Sequence, residues 1–100
     1  MKPSKAKESQ LFYEALLTLQ TPEECRLFLE DICTIKELQA MVQRYQVACM
    51  LDKQMNYSEI TDQTGASSAT ICRVNKCLVY GDGGYRIALD RLKEKDVSQG

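Results

Sequence analysis

Apolar residues recur along this chain every three or four positions, the period of an amphipathic α-helix. The first such stripe predicts a helix that ends near Gln20, and it consists of Leu11, Phe12, Ala15, Leu16 and Leu19. A second stripe predicts the next helix and consists of Cys25, Phe28, Leu29 and Ile32. Both patterns indicate helices that bury one face.

Capping signals mark where the second and third helices begin. Thr21 is followed by Pro22 and then by Glu24 three residues after the cap, which predicts a helix N-terminus. The same pattern recurs at residues 34–37 and opens a longer third helix that should run to about Lys53. Because its apolar positions continue over several turns, we expect this helix to be buried along much of its length and to form the spine of the core.

The second half of the chain predicts shorter helices. Asn56 caps a helix that ends before Gly65, and Ser67 caps the next one. A glycine-rich turn over residues 81–84 precedes a final helix. Its inward residues should be Tyr85, Ala88, Leu89 and Leu92. No stretch alternates as a strand does, so the fold class is all-α with six helices.

Length and composition then limit the function. With 100 residues, the chain can form one compact domain, which we place at residues 8–95 between a flexible basic N-terminal arm (1–7) and a flexible tail (96–100). Its apolar helix faces exceed what one small core can cover, which favours a homodimer. Neither a signal peptide nor a membrane span is predicted, and the protein is expected in the cytoplasm without a membrane partner.

The residue types present argue against an enzyme. The chain has no histidine, which removes the usual general base and the commonest metal ligand. Its five cysteines are odd in number and form no C-x-x-C pair, so we expect free thiols and neither a metal site nor a cofactor: Cys25, Cys33, Cys49, Cys72 and Cys77.

Charge is distributed unevenly. The net charge is −1, so any nucleic-acid site must be local. Residues 1–7 hold three lysines and no acid, residues 8–31 hold one arginine against six acids, and residues 65–80 hold Arg73 and Lys76 without an acid. The two basic segments are therefore the candidates for contact with a polyanion.

The most informative segment is residues 56–79, which predicts a helix-turn-helix. Ile60 lies five residues before Gly65, and Ile71 and Val74 lie six and nine after it, on the internal faces of two helices joined by a tight turn. If the second helix enters a major groove, small hydroxyl and methyl groups face the bases and Lys76 reaches phosphate. The candidate DNA-binding residues are Ser67, Ser68, Ala69, Thr70, Cys72, Arg73 and Lys76. An ordinary helical corner, or a motif that binds protein, remains the alternative.

Residues 65–78, G-A-S-S-A-T-I-C-R-V-N-K-C-L, with Tyr80-Gly81 and Gly84-Tyr85 behind them, resemble the Trp-repressor-related YerC/YecD type of the Trp repressor superfamily. The likeness extends over about residues 8–95. It implies a Trp-repressor-like, intertwined homodimer of six-helix chains and sequence-specific regulation of transcription through double-stranded DNA, at two half-sites about one helical turn apart.

The same resemblance implies a possible effector pocket. Thr34, Arg44 and Arg73 match the threonine and two arginines that hold tryptophan in the repressor, whereas Val74 and Cys77 replace its glycine and serine. Valine fills the slot left for an indole, and a thiol is a poor partner for an ammonium group. We therefore predict a regulator that does not use tryptophan as corepressor. The alternatives are a different small effector near Arg44 and Arg73, or a helical protein-interaction module.

Overall fold

The computed structural model describes residues 3–99, with side chains from 6 to 95. Six helices follow one another in this part of the chain: α1 (Pro3–Leu17), α2 (Pro22–Ile32), α3 (Ile35–Asp52), α4 (Tyr57–Thr64), α5 (Ser68–Tyr80) and α6 (Gly84–Gln99). The described residues contain no strand, and the all-α prediction with six helices is confirmed. Within them, no helix is long and apolar enough to cross a bilayer.

The capping predictions are confirmed at the starts of α2, α3, α4 and α5. The Thr21 hydroxyl accepts a hydrogen bond from the Glu24 backbone N–H at 3.1 Å. Asn56 and Glu59 form a reciprocal capping box, with the Glu59 N–H 2.9 Å from the Asn56 carboxamide oxygen. The Ser67 hydroxyl accepts from the Thr70 N–H at 3.2 Å. These bonds satisfy backbone donors that a helix leaves open at its start.

At both ends of the chain, the terminal helices extend into the predicted arm and tail. Helix α1 begins at Pro3, so residues 3–7 of the predicted arm form its first turns. Proline suits the first helical position, and the lysines and alanine after it have high helix propensity. Helix α6 continues to Gln99 through most of the predicted tail (96–100). Met1, Lys2 and Gly100 lie outside the described residues, and whether either end moves in solution stays a prediction.

Helix α1 also ends earlier than predicted, at Leu17 instead of near Gln20. The Thr18 hydroxyl donates to the Ala15 carbonyl at 2.6 Å and closes the last turn. Thr21, which precedes a proline, is extended at φ −135° and ψ 157°. The ring of a following proline clashes with a residue in helical geometry, so Thr21 cannot continue the helix easily. Helix α1 must therefore end before Thr21.

The chain forms two compact units, residues 1–38 and residues 39–100. Among the described side chains, seven apolar ones are buried, and all of them belong to the second unit: Val47, Ala48, Ile60, Ala66, Ile71, Val74 and Leu89. In the first unit, Phe12 and Phe28 lie with ring centroids 6.0 Å apart, yet none of its described side chains is buried. The described side chains of the first unit therefore form no buried core of their own.

The prediction that α3 is buried along much of its length was wrong for the single chain. Only Val47 and Ala48 are buried in this helix, while Ile35 is 77% exposed. The predicted inward face of α6 is covered only in part: Leu89 is buried and Tyr85 packs partly buried against the core, whereas Ala88 and Leu92 are exposed. Helical periodicity identifies an apolar face correctly, but it does not say which chain covers that face.

In the second unit, an ion-pair cluster joins the end of α3 to α6. Asp52 accepts from the Lys93 ammonium at 2.6 Å and from the Arg86 guanidinium at 3.0 Å, and its side chain is nearly buried. Lys93, with Arg86 in support, holds the pKa of Asp52 below its ordinary value, although burial opposes this. The carboxylate is therefore ionised at neutral pH and fixes α6 against α3.

Candidate nucleic-acid interface and adjoining pocket

Helices α4 and α5 are joined by a turn of three residues, 65–67. Gly65 adopts the left-handed conformation at φ 75° and ψ 4°, and its N–H donates to the Thr61 carbonyl at 2.8 Å. Glycine is favoured here because a side chain at this φ is strained. Ala66, the next residue, is buried. This short turn therefore redirects the chain from α4 into α5.

The apolar residues around this turn pack as their spacing predicts. Ile60, Ile71 and Val74 are all buried in the core of the second unit. A polar contact that the sequence did not reveal supports them: the Gln43 carboxamide donates to the Thr64 carbonyl at 3.0 Å. This bond ties α3 to the last turn of α4, so the position of the turn depends on α3.

With Ile71 and Val74 buried, α5 presents its opposite face to solvent. Ser68, Ala69, Cys72, Arg73 and Lys76 are exposed there, and Thr70 is partly buried. The Ser67 hydroxyl is already engaged, because it accepts from the Thr70 N–H and donates to the Thr70 hydroxyl at 3.1 Å. Ser67 therefore acts first as a helix cap, and the free contact groups of this face begin at Ser68.

The exposed face of α5 is cationic and not neutralised within the described residues. Helix α5 contains no acid, and neither Arg73 nor Lys76 makes an ion pair or side-chain hydrogen bond in that part of the chain. By contrast, Arg26 and Arg86 each contact two carboxylates. The small side chains at the start of α5 leave its backbone close to the molecular surface. This face can therefore approach a polyanion closely.

A hollow of about 230 Å³ lies beside this face, between α3, α5 and α6. Four of the residues predicted for an effector pocket line it together: Arg44, Arg73, Val74 and Cys77. Thr70 and Tyr85 complete the lining, and the sequence did not assign them to it. Tyr85 comes from α6, and its spacing indicated only that it faces inward. Thr34 caps α3 in the first unit, so its part in the pocket stays a prediction.

This geometry can be compared with that of known proteins. A model of the family described as Trp repressor protein matches residues 7–93. The chain therefore belongs to the Trp repressor family.

Within that family it is of the YerC type, as the resemblance predicted. It is 46% identical to the uncharacterized protein YerC of Bacillus subtilis (strain 168) over 93 residues, which cover 93% of this chain and 89% of that protein. It also matches the crystal structure of a TrpR-like protein from Eubacterium eligens with a TM-score of 0.84 and 41% identity, over 87% of this chain and 90% of the other. A candidate Trp repressor from Staphylococcus aureus matches with a TM-score of 0.81 and 42% identity, over 93% of this chain and 95% of the other.

Proposed function

We propose that this protein is a sequence-specific DNA-binding regulator of transcription, with α4 and α5 as its helix-turn-helix. The observation that carries the proposal is the exposed face of α5, where small side chains and two unpaired cations follow a tight glycine turn. Membership of the Trp repressor family supports it independently. Helix α5 would enter the major groove with its N-terminal turn toward the bases.

The candidate residues divide by chemistry. Ser68, Ala69 and Thr70, in the first turn of α5, would lie near base edges, where hydroxyls accept or donate and methyl groups suit thymine. Arg73 and Lys76, further along, would contact phosphates and contribute affinity without sequence preference. Cys72 lies on the same exposed face and would approach the groove wall.

Replacing Lys76 by alanine tests this division. The DNA fragments for this test are selected by the wild-type protein from a genomic library. We expect Lys76→Ala to lower the affinity by a similar factor on every selected fragment. The slope of log affinity against log salt concentration should become shallower by about 0.9, which corresponds to the loss of one phosphate contact. Lys36→Ala removes the same charge from the start of α3 and should leave the slope unchanged. Fluorescence anisotropy across a salt series measures both. Failure to select any DNA fragment would contradict DNA binding and favour a protein-interaction module.

We further propose that the functional unit is an intertwined homodimer. The first unit buries none of its described side chains, and Leu17 at the end of α1 is 85% exposed. A second copy offers the same uncovered faces, and a symmetric pair covers both. Such a dimer would also present two α5 helices, one for each half-site of the DNA.

Sedimentation velocity at micromolar concentration should therefore give about twice the mass of one chain. Leu17→Asp places a charge on an uncovered apolar position and should shift the equilibrium toward monomer. Gln20→Asp adds the same charge at a neighbouring exposed polar position and should leave the dimer intact. A well-folded monomer for the wild-type protein at this concentration would contradict the proposal.

We propose that tryptophan is not the corepressor. Val74 is buried in the core and lines the hollow, so its methyl groups occupy space on the α5 side of it. A valine in a helix has one dominant rotamer and does not swing aside easily. Apparent DNA affinity with and without millimolar tryptophan should agree within error. A reproducible tenfold gain, worth about 1.4 kcal/mol of coupling, would contradict this.

A second candidate function is regulation by another small effector in the same hollow. It is favoured by Arg44 and Arg73, two guanidinium groups that line the hollow and pair with no acid among the described residues. Guanidinium groups suit carboxylates and other oxyanions. A thermal-shift series with small carboxylic acids tests for such a ligand, with an Arg44→Gln variant as control.

A further inference from the structure

Cys77 lies between two hollows on the surface of the second unit. It lines the hollow of about 230 Å³ together with Arg44 and Arg73. It also lines a second hollow of about 430 Å³, next to the glycine turn between α5 and α6. Tyr85 is shared by both hollows, and Cys77 itself is an exposed free thiol. A small molecule in either hollow would therefore lie beside Cys77.

The charge around the thiol selects the kind of molecule. In the part of the chain that the structure describes, Arg44 and Arg73 are not neutralised, so their positive field extends into the smaller hollow. Such a field raises the local concentration of anions in the smaller hollow. The Asp82 carboxylate lines only the larger hollow, so anions are favoured in the smaller one. Cys72 serves as the reference for the effect of the hollow itself, because it is an exposed thiol on the same cationic face of α5 but lines neither of these two hollows.

We propose that Cys77 is a thiol-modification site for low-molecular-weight disulfides that carry carboxylates. The Cys77 thiolate attacks one sulfur of the small disulfide, the S–S bond of that molecule breaks, and a mixed disulfide forms at Cys77. One equivalent of small thiolate leaves, and the proton from Cys77 goes to solvent. The small disulfide is the oxidant in this step, and a reducing thiol reverses it.

The carboxylates of the reagent would lie against Arg44 and Arg73 while its body occupies the hollow beside Tyr85. Resting on the proposed function, we infer that the adduct weakens DNA binding. It adds bulk and negative charge to α5 and opposes the phosphate-binding cations Arg73 and Lys76. The modification would thus couple the thiol redox state of the cell to occupancy of DNA.

Reaction rates test the site without any reference to DNA. The probes are the dianionic disulfide 5,5′-dithiobis(2-nitrobenzoate) and the neutral disulfide 4,4′-dithiodipyridine, with the modified residue identified by peptide mass mapping. We expect the anionic probe to modify Cys77 about tenfold faster than Cys72, and the neutral probe to modify the two at similar rates. Added salt should reduce the preference of the anionic probe.

Variants assign the preference to the two arginines. Arg44→Gln and Arg73→Gln should each lower the ratio of anionic to neutral rates at Cys77 several-fold. Arg91→Gln removes the same charge from α6, outside the lining of both hollows, and should leave the ratio unchanged; circular dichroism confirms that each variant is folded. The same ratio at Cys77 and Cys72, or a ratio unaffected by Arg44→Gln, would overturn the proposed site.

The effect on DNA is measured separately. The protein carrying the mixed disulfide at Cys77 should bind its selected fragment at least tenfold more weakly, with recovery after reduction, while Cys77→Ser should be insensitive to the reagent. Unchanged affinity of the modified protein would overturn the regulatory consequence and leave the reactive site standing. Absence of DNA binding by the unmodified protein would instead contradict the proposed function.

Discussion

Replacing Ile71 by alanine is expected to lower the free energy of unfolding by about 3–4 kcal/mol, the range for large-to-small changes in a core. Ile71 is fully buried, with 0% of its surface exposed, and it packs in the cluster that joins α3, α4 and α5. Removing three carbon atoms there loses burial and leaves a cavity that the surrounding helices can fill only in part. Urea denaturation at fixed protein concentration measures the change, because an oligomer's stability depends on concentration.

Two further variants distinguish the loss of core packing from the loss of apolar surface in general. Ile71→Val removes one methylene group and should cost about 1 kcal/mol. Val79→Ala truncates an exposed apolar residue of the same helix and should change stability by about 0.5 kcal/mol or less. A loss below about 1 kcal/mol for Ile71→Ala would show that this residue does not carry the core contacts that the structure assigns to it.

Replacing Ala69 by glutamate should lower DNA affinity about 100-fold while leaving the fold intact. Ala69 is exposed in the first turn of α5, on the face that is proposed to enter the major groove. A carboxylate there would face phosphates and base edges at close range, and about 2–3 kcal/mol of repulsion and desolvation corresponds to this loss. The same carboxylate is favourable for the helix, because an acid near a helix N-terminus complements its dipole.

If Ala69→Glu loses DNA affinity but keeps its stability, the substitution acts on the DNA-binding surface and not on the fold. Thermal unfolding of Ala69→Glu should occur at or slightly above the wild-type temperature, and anisotropy with the selected fragment reports affinity. Ala69→Gln matches the size of glutamate without its charge, so it should lose less affinity and alter sequence preference. If Ala69→Glu binds as tightly as the wild-type protein, α5 does not lie in the groove in the proposed way.

Local chemistry explains why much of the fold was predictable. The starts of α2 to α5 are each marked by a capping residue whose partner is three positions away, and Gly65 adopts a positive φ in the turn between α4 and α5. The offsets of Ile60, Ile71 and Val74 from that glycine placed all three inside, because two helices joined by a short turn share a fixed geometry. The exposed face of α5 then followed as the opposite side of the same helix.

The pocket was predictable only in part. Arg44, Arg73, Val74 and Cys77 were assigned to it through the resemblance of residues 65–85 to a known family, and the structure brings these four together. Nothing in the spacing of α6 indicated that Tyr85 would complete the lining, because its helical period shows an inward direction and not the neighbour that it meets.

The sequence by itself determined the number of helices, their caps, the tight turn and the outward face of α5, because these depend on residues a few positions apart. Only the tertiary structure decided which distant groups meet: Gln43 with Thr64, and Asp52 with Arg86 and Lys93. It also decided that the apolar faces of α1 and of the first half of α3 stay uncovered in one chain. Periodicity fixes the direction of a side chain relative to its own helix, whereas burial depends on how separate helices pack, which no local pattern encodes.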